Sequence, residues 1–123
     1  MYRVKFKEGI FSDIKNLGPN VNSKHGQTDP AIAKDESFIV FVSKRPEMNN
    51  VISIYVSFQI GDNEWTKAIP LGDEVNSEFG AGAPTISPDG KYLFFKKRSG
   101  DVRGIYWIST DYIEKFRPSS VNK

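Results

Sequence analysis

Two runs of consecutive apolar residues dominate the hydrophobic pattern of the chain. "FIVFV" spans residues 38–42, and "YLFFK" spans residues 92–96. Valine, isoleucine, phenylalanine and tyrosine fill these runs and no 3.6-residue period is present, so the pattern predicts β-strands rather than helices. A strand with one solvated face alternates polar and apolar residues. A continuous apolar run therefore predicts a strand that is covered on both faces.

The two runs belong to an internal repeat. Residues 16–41, "NLGPNVNSKHGQTDPAIAKDESFIVF", align without gaps on residues 70–95, "PLGDEVNSEFGAGAPTISPDGKYLFF", at a shift of 54 positions. The identical positions are Leu17/Leu71, Gly18/Gly72, Val21/Val75, Asn22/Asn76, Ser23/Ser77, Gly26/Gly80, Pro30/Pro84, Ile32/Ile86, Asp35/Asp89 and Phe41/Phe95. Self-similarity at a fixed period is the signature of an array of small structural units.

Each unit is predicted to contain four strands, which we label A to D. They are strand A near residues 31–33 and 85–87, strand B at 38–42 and 92–96, strand C at 52–58 and 104–109, and strand D at 65–71, with 11–17 from the unit before. Between strands A and B of the second copy, Pro88 presets one backbone angle of a turn and Gly90 supplies the position that needs a positive φ. The first copy lacks both residues and is expected to have a different turn type.

Small antiparallel sheets that are covered on both faces and repeat along a chain favour β-propeller blades. We predict a single all-β domain, residues 1–123, of about two four-stranded antiparallel blades. Its parts are strands C and D of a preceding blade (1–17), a full blade (29–71), a last blade (83–109) and a short helix (110–117).

The helix is expected to be capped by Thr110 or Asp111 and to end at Pro118. Ile113 and Phe116 are expected to pack on the last blade as a structural lid on the end of the array.

The segment "APTISPDGKYLFF", followed by "GIYW", resembles the Pro-Asp repeat of TolB-type, WD-like propellers. The residues that carry the resemblance are Pro84, Ser87, Pro88, Asp89, Gly90, Lys91, Tyr92, Leu93, Phe94, Phe95, Ile105 and Tyr106. The resemblance implies a bacterial propeller protein of the periplasm or cell envelope, in a family whose rings have six or more blades. Two blades cannot close a ring. Either a longer parent chain supplies further blades, or copies self-associate, with residues 11–17 completing the last blade of a neighbour.

Composition narrows the possible chemistry. The chain has no cysteine and one histidine, so a zinc site of the usual composition is excluded and no metal or other cofactor is predicted. Seventeen Lys+Arg against fifteen Asp+Glu give a net charge of +2, too small to indicate a nucleic-acid partner. Neither a signal peptide nor a membrane-inserted segment is predicted. No Gly-x-Ser-x-Gly elbow or other catalytic constellation is present, so we do not predict an enzyme.

The strand order places the D–A and B–C connections on one rim, and any binding site is predicted there. The candidate residues on this rim are His25, Gln27, Lys44, Arg45, Glu78, Phe79, Arg98 and Arg103. The predicted function is a non-catalytic binding or scaffolding module for a protein or glycan. The alternative is a fragment of a propeller enzyme, of the peptidase or polysaccharide lyase type, whose active site lies outside this chain.

Asn22 and Asn76 recur at the same place in the D–A connections. They either form a polar crown for a ligand or bond to backbone groups within a tight connection. Repetition at the same position favours the second interpretation.

Overall fold

A computed structural model describes residues 1–120. Its strands are β1 (Tyr2–Lys7), β2 (Ile10–Asn16), β3 (Thr28–Ile32), β4 (Phe38–Lys44), β5 (Ile52–Gly61), β6 (Glu64–Trp65), β7 (Ile69–Pro70), β8 (Ala81–Ile86), β9 (Tyr92–Ser99) and β10 (Val102–Ser109). A 3-10 turn at Pro46–Met48 joins β4 to β5, and a short helix α1 (Asp111–Glu114) follows β10. Within residues 1–120, no helix has the length and apolar character needed to cross a membrane.

The strands form three antiparallel sheets that do not close into a ring. The N-terminal hairpin consists of β1 and β2, and the C-terminal sheet has the order β8-β9-β10. In the central sheet, β3, β4 and β5 are neighbours in order, and both β6 and β7 pair with β5. The predicted all-β fold with antiparallel sheets and a C-terminal helix is confirmed, and the central sheet has the A–B–C–D order of a four-stranded blade.

The central sheet is covered on both faces. Val40 and Val56 lie on the face toward the C-terminal sheet, in one cluster with its Leu93. Phe41 and Tyr55 lie on the opposite face, in a second cluster with residues of the first D–A connection. All residues from 38 to 43 and from 53 to 58 are buried. The burial predicted from the apolar runs is therefore confirmed for β4 and β5.

The same prediction is wrong for the C-terminal sheet. Leu93 is fully buried, but Phe94 is 40% exposed and Trp107 is 64% exposed. Burial along β9 alternates because its inner face packs on the central sheet, whereas no element among residues 1–120 covers its outer face. The outer face is the counterpart of a buried one: at the shift of 54 positions, Phe94 corresponds to Val40.

The repeat extends to the hydrogen bonds of the two copies. Asn22 and Asn76 each donate their backbone N–H to a glycine carbonyl four residues earlier, at 2.8 and 2.9 Å. The backbone N–H of Leu17 donates to the carbonyl of Met1 at 3.2 Å, as that of Leu71 donates to Ile54 at 2.9 Å. Met1 therefore occupies the position of Ile54, and β1 is the counterpart of β5.

The two A–B turns have the same geometry, and the expectation of different turn types is wrong. Gly90 donates its N–H to Ser87 and Glu36 donates its N–H to Ala33, both at 2.8 Å. Both residues have positive φ, +79° for Gly90 and +61° for Glu36. Glu36 therefore adopts a left-handed conformation that glycine adopts without steric cost.

Glu36→Gly is expected to raise the free energy of unfolding by about 1 kcal/mol, because it removes the steric cost of a left-handed L-residue. Glu36→Ala is the matched control, since alanine removes the carboxylate but keeps the strain. Urea denaturation followed by circular dichroism measures both changes. An equal gain in the alanine variant would attribute the effect to charge and contradict this explanation.

Strand D of the central sheet is shorter than predicted. Residues 65–71 divide into the ends β6 and β7, separated by a segment without strand structure. Thr66 causes the interruption: its Oγ1 accepts the backbone N–H of Phe58 at 2.9 Å, a bond that a strand partner would make through its backbone.

The helix α1 is present with Thr110 at the N-cap position, as predicted, but it ends at Glu114 instead of extending to Pro118, and no side-chain cap forms. Thr110 precedes the helix without a side-chain capping bond, and its hydroxyl donates instead to the carbonyl of Gly90 at 2.8 Å. The predicted packing is confirmed, since Ile113 is fully buried in the cluster between the central and C-terminal sheets and Phe116 packs against that cluster.

Candidate functional site

The D–A and B–C connections meet on one rim in both copies. In the first copy, the guanidinium of Arg45 donates to the carbonyl of Val21 at 2.8 Å. In the second copy, the hydroxyl of Ser77 donates to the carbonyl of Arg98, whose N–H donates to Gly80 at 2.9 Å. The D–A and B–C connections predicted from the strand order to share a rim therefore contact each other in both copies.

A groove of about 590 Å³ opens on this rim at the C-terminal sheet. Its lining residues are Ile52, Phe79, Gly80, Ala81, Gly82, Ala83, Lys96, Lys97, Arg98, Arg103, Gly104 and Ile105. The lining residues of the C-terminal sheet come from three neighbouring strands: small residues at the start of β8, residues near the end of β9 and residues near the start of β10. The groove combines an apolar surface with four basic side chains.

The basic residues of the groove lie close together because of the strand register. Arg98 and Arg103 are directly opposite each other in the β9–β10 pair, and Lys97 is opposite Gly104. Like charges at directly opposed positions repel each other. The Nζ of Lys97 donates to the carbonyl of Asp73 at 2.7 Å, and the Nε of Arg98 donates to the carbonyl of Gly100 at 2.8 Å. Backbone carbonyls thus hold the cationic groups of Lys97 and Arg98 in place.

The structure divides the predicted candidates into two groups. Phe79, Arg98 and Arg103 line the groove together, whereas the other candidates do not: His25, Gln27, Lys44, Arg45 and Glu78. Gln27 donates its side-chain amide to the Ser23 hydroxyl at 2.7 Å, an interaction within the first D–A connection. His25 is half-buried in the same connection.

Arg45 is a structural residue rather than an accessible rim residue. It is 7% exposed, and its guanidinium lies 4.7 Å from the ring centre of Tyr55 and 5.5 Å from that of Phe41. Its Nε also donates to the Ser43 hydroxyl at 3.1 Å. Burial and the nearby Glu47 carboxylate raise the pKa of Tyr55 to about 12, so its ring stays neutral beneath the cation. Arg45 is therefore buried structure and not part of the candidate site.

Arg45→Ala is expected to lower the free energy of unfolding by about 2–3 kcal/mol, because the carbonyl of Val21 loses a charge-assisted bond in a buried place. The neighbouring Lys44 is exposed, and Lys44→Ala is expected to change the free energy of unfolding by less than about 0.5 kcal/mol. Urea denaturation monitored by tyrosine and tryptophan fluorescence compares the two. A stable Arg45→Ala variant would return this residue to the candidate site.

Asn76 bonds to the backbone, as the favoured interpretation of the repeated asparagines predicted. Its Oδ1 accepts the N–H of Ile54 at 2.8 Å, and its Nδ2 donates to the carbonyls of Ile54 and Leu71 at 3.0 and 2.7 Å. Asn22 makes the corresponding bonds to the amino group and carbonyl of Met1. The repeated asparagines thus join strand C to the start of each D–A connection.

Several groove residues were absent from the predicted set. Lys96 and Lys97 are visible in the sequence as part of the basic run "KKRSGDVR". Ile52 and Ile105 look like ordinary strand residues, and only the three-dimensional structure shows that they line an open groove, 51% and 74% exposed. The small residues of β8 that line the groove carry no chemical signal of their own.

Among residues 1–120, no group of three or more His, Asp or Glu side chains is placed to hold a metal ion. A comparison with known protein families finds no family model that matches the chain. A search of curated proteins finds no match either.

Proposed function

We propose that this chain is a non-catalytic binding or scaffolding module made of propeller-type blades of the TolB-like kind, and that it engages its partner at the rim groove. The observation that carries the proposal is the juxtaposition of Phe79, Arg98 and Arg103 in one groove of about 590 Å³. Volumes of this size suit segments of a ligand rather than single ions.

The partner that fits the groove is acidic and partly apolar. Lys96, Lys97, Arg98 and Arg103 present positive charge, while Phe79 is 49% exposed beside them. Arginine and aromatic residues are the side chains that contribute most to protein–protein binding. An acidic protein segment that carries an apolar anchor satisfies both features, and an acidic glycan satisfies the charge alone.

A binding experiment with defined probes tests this proposal. The probes are a pool of acidic octapeptides, each with one aromatic or branched aliphatic residue, the same pool with glutamine in place of glutamate, and a sulfated oligosaccharide. We expect the chain to bind the acidic pool in preference to the neutral pool, and binding to weaken as salt concentration rises.

The variants locate the binding. Arg98→Ala combined with Arg103→Ala is expected to weaken binding at least tenfold, whereas Lys44→Ala, an exposed cation of the same rim outside the groove, leaves it unchanged. Preference for the sulfated oligosaccharide over the peptides would identify a glycan partner at the same groove. Equal binding of the acidic and neutral pools, or an equal loss in Lys44→Ala, would contradict the proposal.

A further inference from the structure

Strand β5 has a neighbour on each side, whereas its two counterparts each lack one. β4 pairs with β5 on one side and β7 pairs with it on the other. In the N-terminal hairpin β1 pairs only with β2, and in the C-terminal sheet β10 pairs only with β9. β1 therefore lacks the neighbour that β4 provides, and β10 lacks the neighbour that β7 provides.

The strand registers show that β1 and β10 occupy positions equivalent to that of β5. β5 pairs with β7 through Tyr55 opposite Pro70, and β1 pairs with β2 through Tyr2 opposite Asn16, at the corresponding positions. β4 pairs with β5 through Phe41 opposite Tyr55, as β9 pairs with β10 through Phe95 opposite Tyr106. The open edge of β1 thus corresponds to the edge of β5 that pairs with β4. The open edge of β10 corresponds to the edge of β5 that pairs with β7.

An empty cavity runs along the open edge of β1. It measures about 660 Å³, and all six residues of β1 line it. Consecutive strand residues point to opposite faces, so a cavity that contacts all of them follows the edge of the strand rather than one face. Ile32, Ile39 and Trp65 form its opposite wall. The indole N–H of Trp65 is itself buried and has no hydrogen-bond partner within residues 1–120.

Strand β10 has the length and composition to fill this place. It is eight residues long, and Ile105 and Trp107 are 74% and 64% exposed. Its backbone groups on the side away from β9 are free of strand pairing within the described part of the chain. Exposed edges of apolar strands associate with other strands unless they are covered.

We propose that β10 of one copy pairs antiparallel with β1 of a second copy, so that one sheet runs through β8, β9 and β10 into β1 and β2 of the neighbour. The pairing satisfies both edges with surfaces that this chain itself supplies. The contact is heterologous, because it joins two different edges, and the same pairing can repeat from copy to copy.

Proline substitutions can block each edge separately. In the two-residue turn after β1, Glu8 and Gly9 both have positive φ, as a type I′ turn requires, so the closing pair Lys7–Ile10 exchanges hydrogen bonds. The N–H of Phe6 then points to the open edge. The corresponding alternation from the closing pair of the β9–β10 hairpin directs the N–H of Trp107 to the open edge of β10. Proline is tolerated where the missing N–H faces away from the sheet.

The test is size-exclusion chromatography with light scattering on the full chain. We expect the wild type to associate in a concentration-dependent manner, and Phe6→Pro and Trp107→Pro each to be monomeric while retaining wild-type circular dichroism. The controls Phe6→Ala and Trp107→Ala remove the same side chains but keep the N–H, and each is expected to associate at least tenfold more tightly than its proline counterpart.

Mixing the two proline variants gives the decisive result. The Phe6→Pro chain keeps an intact β10 edge and the Trp107→Pro chain keeps an intact β1 edge, so the mixture is expected to form a one-to-one heterodimer and nothing larger. A monomeric wild type would overturn the proposal. So would association of either proline variant alone, or a mixture that stays monomeric.

Slowed amide hydrogen exchange at residues 3–7 and 103–109 of the associated wild type would support the same pairing without any substitution. Protection confined to other strands would overturn it.

Discussion

Replacing Ile113 by alanine is expected to lower the free energy of unfolding by about 3 kcal/mol, as for other large-to-small changes at fully buried aliphatic positions. Ile113 is 0% exposed and shares its cluster with Phe58 and Leu93, which belong to different sheets. The short helix therefore holds the central and C-terminal sheets together. Arg117, three residues after the helix, also contacts the central sheet: its guanidinium lies 4.4 Å from the ring centre of Phe58.

Urea denaturation of three variants tests the role of the helix. Ile113→Val removes one methylene group and is expected to cost about 1 kcal/mol. Lys115→Ala changes an exposed residue of the same segment and is expected to cost less than about 0.5 kcal/mol. If Ile113→Ala were no more destabilising than Lys115→Ala, the helix would be an appendage and not part of the core.

Asn76→Ala is expected to lower the free energy of unfolding by a similar amount, about 3 kcal/mol, because two buried backbone groups lose their partners at once. The N–H of Ile54 and the carbonyl of Leu71 both bond to the Asn76 side chain, which is 2% exposed. Water cannot replace these bonds without entering the core.

Asn22 offers a matched control at the equivalent position of the first copy. It is half-buried, and its partners include the amino group of Met1, so water can replace its bonds. Asn22→Ala is therefore expected to cost about 1 kcal/mol, the typical net value of a hydrogen bond that is not deeply buried. The two variants are compared by thermal and urea denaturation. Equal losses would show that burial does not set the contribution of this side chain.

The sequence alone predicts well which segments form strands, and less well which faces of those strands are buried. The repeat and the apolar runs identify strands A, B and C of both units because strand formation depends on short-range pattern and turn chemistry. They do not distinguish Val40 from Phe94, which hold the same place in the repeat. Val40 is fully buried and Phe94 is 40% exposed, because burial depends on whether another sheet follows.

Two local errors also have physical causes. The left-handed conformation of Glu36 is imposed by the hairpin around it, although the residue itself disfavours that conformation. The interruption of strand D at Thr66 arises from a side-chain bond that replaces a backbone bond, and an apolar pattern carries no sign of it.

The sequence predicts which connections form the rim of the candidate site, but not which side chains on that rim are accessible. Strand order alone places Phe79, Arg98 and Arg103 together, because topology determines which connections meet. It also places Arg45 there, since a basic residue in a B–C connection has the same signature whether it is exposed or stacked on Tyr55. Only packing separates the two cases.

Amide hydrogen exchange measured by NMR compares the three sheets, which differ in burial: the central sheet is buried on both faces, the C-terminal sheet on one face, and the N-terminal hairpin is largely exposed on both. At concentrations where the chain is monomeric, we expect the slowest exchange in residues 38–43 and 53–58. Residues 2–7 and the open-edge amides of 102–109 are predicted to exchange orders of magnitude faster. Uniform protection across all three sheets, or faster exchange in β4 and β5 than in β1 and β10, would contradict this expectation.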